Sequence, residues 1–169
     1  MRTPALLFPL LVAAAALAGC GLHPLYAGGG SGPVARSLAG IDVSPIEGKA
    51  GWLIGNALHD RFAGDAAGTA RYRLDVKLED RISGLAVRSD YAATRERRTL
   101  RARFQLVRLA DDVTVLDATA GSDAGIDVVG SEYATIAAEN TALERLSGIV
   151  ADRITTRVAL YARKLSEAR

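Results

Sequence analysis

Cysteine is almost absent from this sequence: of 169 residues only Cys20 is one. No internal disulfide can hold the fold, so an apolar core must do it. Histidine is nearly as scarce, with His23 and His59 the two in the chain. They do not stand at metal-ligand spacing, and no further cysteine can join them. No metal site and no bound cofactor are expected. A nucleophile elbow is missing as well. A Ser-His-Asp arrangement around His59 therefore has no motif behind it, although triad partners meet only in space. The glycine-rich AGGGSG lacks the lysine and the strand-to-helix setting of a phosphate loop. GSDAG lacks the ligand spacing of a calcium loop. The chain reads as a non-enzyme. Lysine is the remaining shortage. Only Lys49, Lys77 and Lys164 occur among 21 basic residues, and arginine clusters between Arg71 and Arg108. The formal net charge of +2 is too small to indicate a partner by itself.

No apolar run is long enough to span a membrane. Ala5 to Ala18 is almost wholly apolar, but crossing the hydrocarbon core takes about 20 such residues. With Met1-Arg2 before it and small residues after it, residues 1–19 read as a secretory signal. The tetrad Leu17-Ala18-Gly19-Cys20 resembles a bacterial lipobox. That resemblance implies cleavage before Cys20, diacylglycerol on its sulfur and an acyl group on its new amine. One chain anchors a protein marginally, whereas several anchor it firmly. An ordinary signal followed by a chance cysteine is the plain alternative. Gly21 stands where an Asp would resemble an inner-membrane retention signal. Its presence points to the outer membrane, on the periplasmic side.

Cleavage would leave 150 residues, one domain by size and large enough to bury a core. Residues 20–37 read as a lipidated terminus and flexible tether, ending in AGGGSGPVARS. Residues 38–165 read as a single α+β domain. Ile41 and Val43 mark a short strand, with Pro45 at its edge or end. AGWLIGNALHDRFAG has helical spacing, with Gly64 able to end it. In ARYRLDVKLED, Tyr72, Leu74, Val76 and Leu78 share one face, and Arg71, Arg73, Asp75, Lys77 and Glu79 share the other. Ser83-Gly84 shifts the period, as a bulge does. In RRTLRARFQLVRL, Leu100, Ala102, Phe104 and Leu106 oppose Arg97, Thr99, Arg101, Arg103 and Gln105. After a turn at Ala110 to Asp112, one more strand follows, open to a split between Gly121 and Gly125. A long helix then runs from an N-cap at Ser131. Ile136, Leu143, Leu146, Val150, Ile154, Val158, Tyr161 and Leu165 form its apolar seam, with Gly148 as its weak point. The order is β-α-β-β-β-α, with two helices packed on one face of a mostly antiparallel four-stranded sheet.

The other face would carry Arg73, Lys77, Arg97, Arg101 and Arg103. A solvated face balanced by Asp75 and Glu79 is one reading. An anion-binding surface is the other, because arginine forks match phosphates. Nucleic acid is not expected outside the inner membrane, whereas lipopolysaccharide is the abundant phosphate carrier there.

Several of these segments resemble the LptE family of lipopolysaccharide-assembly lipoproteins. CGLHPLY resembles the cysteine-led start of one branch, with Leu22 where Phe is common. VGSEYATIAAENTALERLSGIVADRITTRVALY resembles the family's last strand end and C-terminal helix, and the element order agrees. The resemblance covers nearly all of residues 20–165. It implies a non-catalytic plug and assembly partner of the LptD outer-membrane β-barrel, binding lipopolysaccharide as it enters the outer leaflet. The membrane contact would be the Cys20 lipid. No individual lipopolysaccharide-contacting residue carries over between branches. A periplasmic accessory lipoprotein of another transporter or scaffold shares the same lipobox, tether and size.

Overall fold

The computed structural model describes residues 32–63, 70–87, 93–128 and 130–167. The signal (1–19), Cys20, His23 and the tether as far as residue 31 lie outside the described residues. The described chain begins with helix α1 (Pro33–Leu38), strand β1 (Ile41–Val43) and helix α2 (Gly48–Phe62). Strands β2 (Tyr72–Val87), β3 (Ala93–Arg108) and β4 (Val113–Asp127) follow, and helix α3 (Glu132–Glu167) closes it. From β1 onward the order is β-α-β-β-β-α, as the hydropathy pattern predicts. The four strands form one sheet in sequence order. β2–β3 and β3–β4 are antiparallel, while β1 runs parallel to β2, with α2 as the crossover between them.

Helix α1 corrects the tether expectation for residues 33–37. Pro33 is at the first helical position, where its fixed φ suits a helix and its missing N–H costs nothing. Val34 and Leu38, four apart, are buried at 5% and 3% exposure. They seal α1 against α3. The glycines before Pro33 masked this short amphipathic turn. At the next connection Gly48 takes φ +79°, a left-handed geometry that favours glycine. It turns the chain into α2.

Period-2 alternation in β2 and β3 decides which face meets the helices. Leu74, Leu100, Ala102, Phe104 and Leu106 are buried beneath them. Ile54, Leu58 and Phe62 of α2 pack on this layer with Leu143, Leu146, Val150, Ile154 and Val158 of α3. β4 offers Ala118, Ala120 and Ala124 to the same layer, and these small side chains sit where α3 packs over β4. The helices are also tied by Lys49 to Asn140 at 2.7 Å and by Arg61 to Asp152 at 2.7 Å. These two contacts show that α2 and α3 run parallel.

Three expectations change. β4 is one continuous strand, not two pieces. Its register with β3 is unbroken from Asp127 to Leu116. The ladder hydrogen bonds hold the backbone through Gly121 and Gly125, and no side chain is needed for them. The bulge expected at Ser83-Gly84 lies just beyond it, with register shifts between Gly84, Ala86 and Val87. The α3 seam is narrower than its sequence period. Ile136 is 49% and Leu165 40% exposed. The first turns of α3 precede Asn140, where α2 begins to cover it, so Ile136 has no helical neighbour on that side. The core-facing row of the sheet also turns polar at its far end. Arg98 donates from Nε and Nη2 to both oxygens of Asp80, at 2.9 and 2.5 Å. From Nη1 it donates to the Glu139 carbonyl at 2.9 Å. That contact pins the start of α3 to the sheet. No helix of the described residues is long and apolar enough to cross a membrane.

Candidate functional site

The same alternation that buries one row of β2 and β3 sends the other row away from the helices. Arg73, Asp75, Lys77, Glu79 and Arg81 leave β2 on this outer face. Arg97, Thr99, Arg101, Arg103 and Gln105 leave β3 beside them. All five basic residues singled out from the sequence therefore share one surface. Lys77 stands directly opposite Arg103 in the β2–β3 register, a like-charge pair that opposes pairing.

Beyond Asp75 and Glu79, β4 and the turn before it bring further acids to this face. Arg103 grips Asp117 with Nε at 3.1 Å and Nη2 at 2.8 Å. Gln105 adds a 2.9 Å hydrogen bond to the same carboxylate. The Arg103 and Gln105 donors lower the Asp117 pKa to about 2. Arg73 bonds Asp75 at 3.1 Å and lies 3.8 Å from Asp112. Ser44 from the β1 end donates to Asp75 at 2.5 Å. Arg97 faces Asp123 more loosely, at 3.7 Å. Asp117 and Asp123 are far from Arg103 and Arg97 in sequence and reach them only through the β3–β4 register.

Two cations remain without an acid partner among the described residues: Lys77 and Arg101. Glu79, opposite Arg101 in register, is taken by Arg81 at 2.9 Å. Arg101 also has room that its neighbours lack. Gly121 is its register partner on β4, and a Cβ there would lie 3.2 Å from Arg101 Cγ. A third cation, Arg153, was not singled out from the sequence. It projects from α3 around the β4 edge and donates to the Gly121 carbonyl. The residues between Gly121 and Arg153 hide this contact from any local pattern, and Arg153 reads simply as an exposed helix position. Arg101, Arg153, Thr99, Thr119, Ser122 and Asp123 line a hollow of about 320 Å³. Two guanidinium groups among hydroxyls suit a phosphate-like anion, while Asp123, loosely paired with Arg97, brings one negative charge to the same hollow. His59 Nδ1–H donates to the Gly55 carbonyl of its own helix at 2.7 Å. No group of three or more His, Cys, Asp or Glu among the described residues is placed to hold a metal ion.

Fold and face define a two-layer α+β domain, with helices closing one side of the sheet and an open charged face on the other. Comparison with known proteins makes the class specific. Residues 38–158 match the family described as LptE, lipopolysaccharide-assembly. The chain belongs to the LptE family, whose work is lipopolysaccharide assembly in the cell envelope. Solved structures share the fold. A lipoprotein from Caulobacter crescentus is 22% identical with a TM-score of 0.63, covering 82% of this chain and 98% of its own. The rare lipoprotein B of Shewanella oneidensis is 13% identical with a TM-score of 0.55, covering 75% and 96%. A minor lipoprotein of Acinetobacter baumannii is 12% identical with a TM-score of 0.54, covering 71% and 90%. No curated protein matches the chain by sequence.

Proposed function

We propose that this LptE-family protein is an outer-membrane lipoprotein, held on the periplasmic side by lipid on Cys20. It seats in the lumen of the LptD β-barrel as plug and assembly partner, and it binds lipopolysaccharide on its way to the outer leaflet. The role is non-catalytic and uses no cofactor beyond the covalent lipid. The observation that carries this reading is the outer sheet face, where Lys77, Arg101 and Arg153 have no acid partner among the described residues. A polar sheet face suits a polar barrel lumen, and free guanidinium groups suit lipid A phosphates. Arg103, already paired with Asp117, would contribute shape more than charge.

Two measurements test it. LptD should co-purify with the tagged chain from detergent-solubilised outer membrane; its absence under conditions that keep the barrel intact overturns the plug role. Lipopolysaccharide binding should weaken and lose salt sensitivity when Arg97, Arg101 and Arg103 are all changed to Gln. Single changes sharpen the test. Arg101→Gln should weaken binding about tenfold, the equivalent of one charge-assisted hydrogen bond. Arg103→Gln should do much less. Wild-type binding and salt dependence in the triple variant would make this a solvated strand face.

A further inference from the structure

A separate cleft opens on the helix side of the sheet, at the end where β3 turns into β4. Its volume is about 450 Å³, inside the roughly 300–1,000 Å³ typical of small-ligand sites. Ile41, Leu106, Val158 and Leu165 give it an apolar wall, and Tyr72 and Tyr161 add two rings with hydroxyls. The exposed Leu165, an oddity if the α3 seam served only the core, belongs to this wall.

One cation is set at the cleft. Arg71 lines it, and Gly40 makes space for the guanidinium. A Cβ at position 40 would lie 3.3 Å from Arg71 Nε and 3.5 Å from Nη2. The Gly40 carbonyl accepts the N–H groups of both Arg71 and Tyr72, at 2.8 and 3.1 Å. The backbone under the arginine and the tyrosine is thereby held. Arg71 takes part in none of the ion pairs among the described residues. Arg108, which acts electrostatically on Tyr161, is instead committed to Asp111 at 3.3 Å. Burial, and then the neighbouring Tyr72, raise the Tyr161 pKa. Its hydroxyl is therefore a proton donor at neutral pH.

A cleft with an apolar wall, with the Ser37, Tyr72, Tyr161 and Ser166 hydroxyls, and with Arg71 as its one cation among the described residues fits a tail carrying a single negative charge. A phosphate monoester carries close to two charges and would call for a second free cation. We propose that this cleft binds a single-chain fatty acid, its tail along Ile41, Leu106 and Val158 and its carboxylate on Arg71. The site shares no residue with the basic sheet face and stands independently of that reading.

Calorimetric titration of laurate, kept below its micelle concentration, tests the proposal. The protein is residues 20–169 with Cys20→Ala, expressed without residues 1–19 and purified without detergent. One laurate per chain should bind saturably. Dodecanol, with the same tail and no charge, should bind about tenfold more weakly, because it lacks the charge-assisted pair with Arg71. Arg71→Gln should bring laurate down to the dodecanol affinity. Ala162→Trp, which fills the cleft from a half-buried position on α3, should abolish binding of both, with circular dichroism confirming the fold. If that variant does not fold, the exposed Arg71→Gln carries the test. The Arg97, Arg101 and Arg103 triple variant should bind laurate as wild type does. Unsaturable uptake, equal affinity for laurate and dodecanol, or binding unchanged in folded Ala162→Trp overturns the proposal. Tighter binding of dodecyl phosphate than of laurate overturns the choice of a monoanion.

Discussion

Phe104→Ala probes the central claim about the sheet, which is that its two faces are assigned correctly. Phe104 is fully buried, at 0% exposure. Its strand neighbours are Val76 on β2 and Ala118 on β4, and both helices close over this layer. Truncation removes about 2 kcal/mol of transfer free energy. Ala118 is too small to collapse into the space. A residual cavity of roughly 80 Å³, at about 24 cal/mol per Å³, adds about 2 kcal/mol. The expected loss is about 4 kcal/mol, a large part of the 5–15 kcal/mol that typically holds a domain. Urea unfolding of residues 20–169 with Cys20→Ala, expressed without residues 1–19, measures it, followed by far-ultraviolet circular dichroism. Trp52, the one tryptophan, is 65% exposed and makes a poor fluorescence reporter. Ile136→Ala is the matched control. It removes a seam residue that the sequence period places in the core and the structure leaves 49% exposed, so it should cost no more than about 0.5 kcal/mol. A Phe104→Ala loss below about 1 kcal/mol would mean that the strand faces are exchanged.

Other outcomes follow from single contacts. Gly148→Ala should stabilise the chain by about 0.5–1 kcal/mol, because a Cβ there meets nothing within 4 Å in the middle of α3. Gly51→Ala should instead destabilise by about 1–3 kcal/mol, since its Cβ would press to 2.5 Å from the Ile46 carbonyl oxygen; the two melting curves should move in opposite directions. Asp117 has a folded pKa of about 2, below its ordinary 3.8, so its pairing favours the fold above about pH 4 and is lost as pH falls through 2. Carboxyl NMR titration should find that Arg103→Gln moves this pKa back up, and an unmoved value would remove Arg103 as the cause. Cys20→Ala should leave an unlipidated precursor, and mass spectrometry of wild type should find acyl chains on Cys20 rather than a free thiol.

Alternation and helical period were enough, without coordinates, to specify the strands around Leu74 and Phe104, the long helix and the element order. These signals are local: a side chain's face follows from its own position in a repeat of two or 3.6. The same signal placed Arg73, Lys77, Arg97, Arg101 and Arg103 on one face before any partner was visible. It did not show that Asp117 and Asp123 neutralise part of that face, because those contacts depend on β3–β4 register. Nor did it show that Arg153 reaches Gly121 from another element. Helix α1 has little signature in the sequence because two apolar residues make a weak pattern, and only the surface of α3 makes their burial favourable. The cleft beside Arg71 has no sequence signature. It is made where β1, β2, β3 and the end of α3 meet, and Gly40 matters there for the side chain it lacks. Periodicity assigns a residue to a face, whereas pairing, burial and cavities are properties of two or more elements and exist only once those elements are packed together.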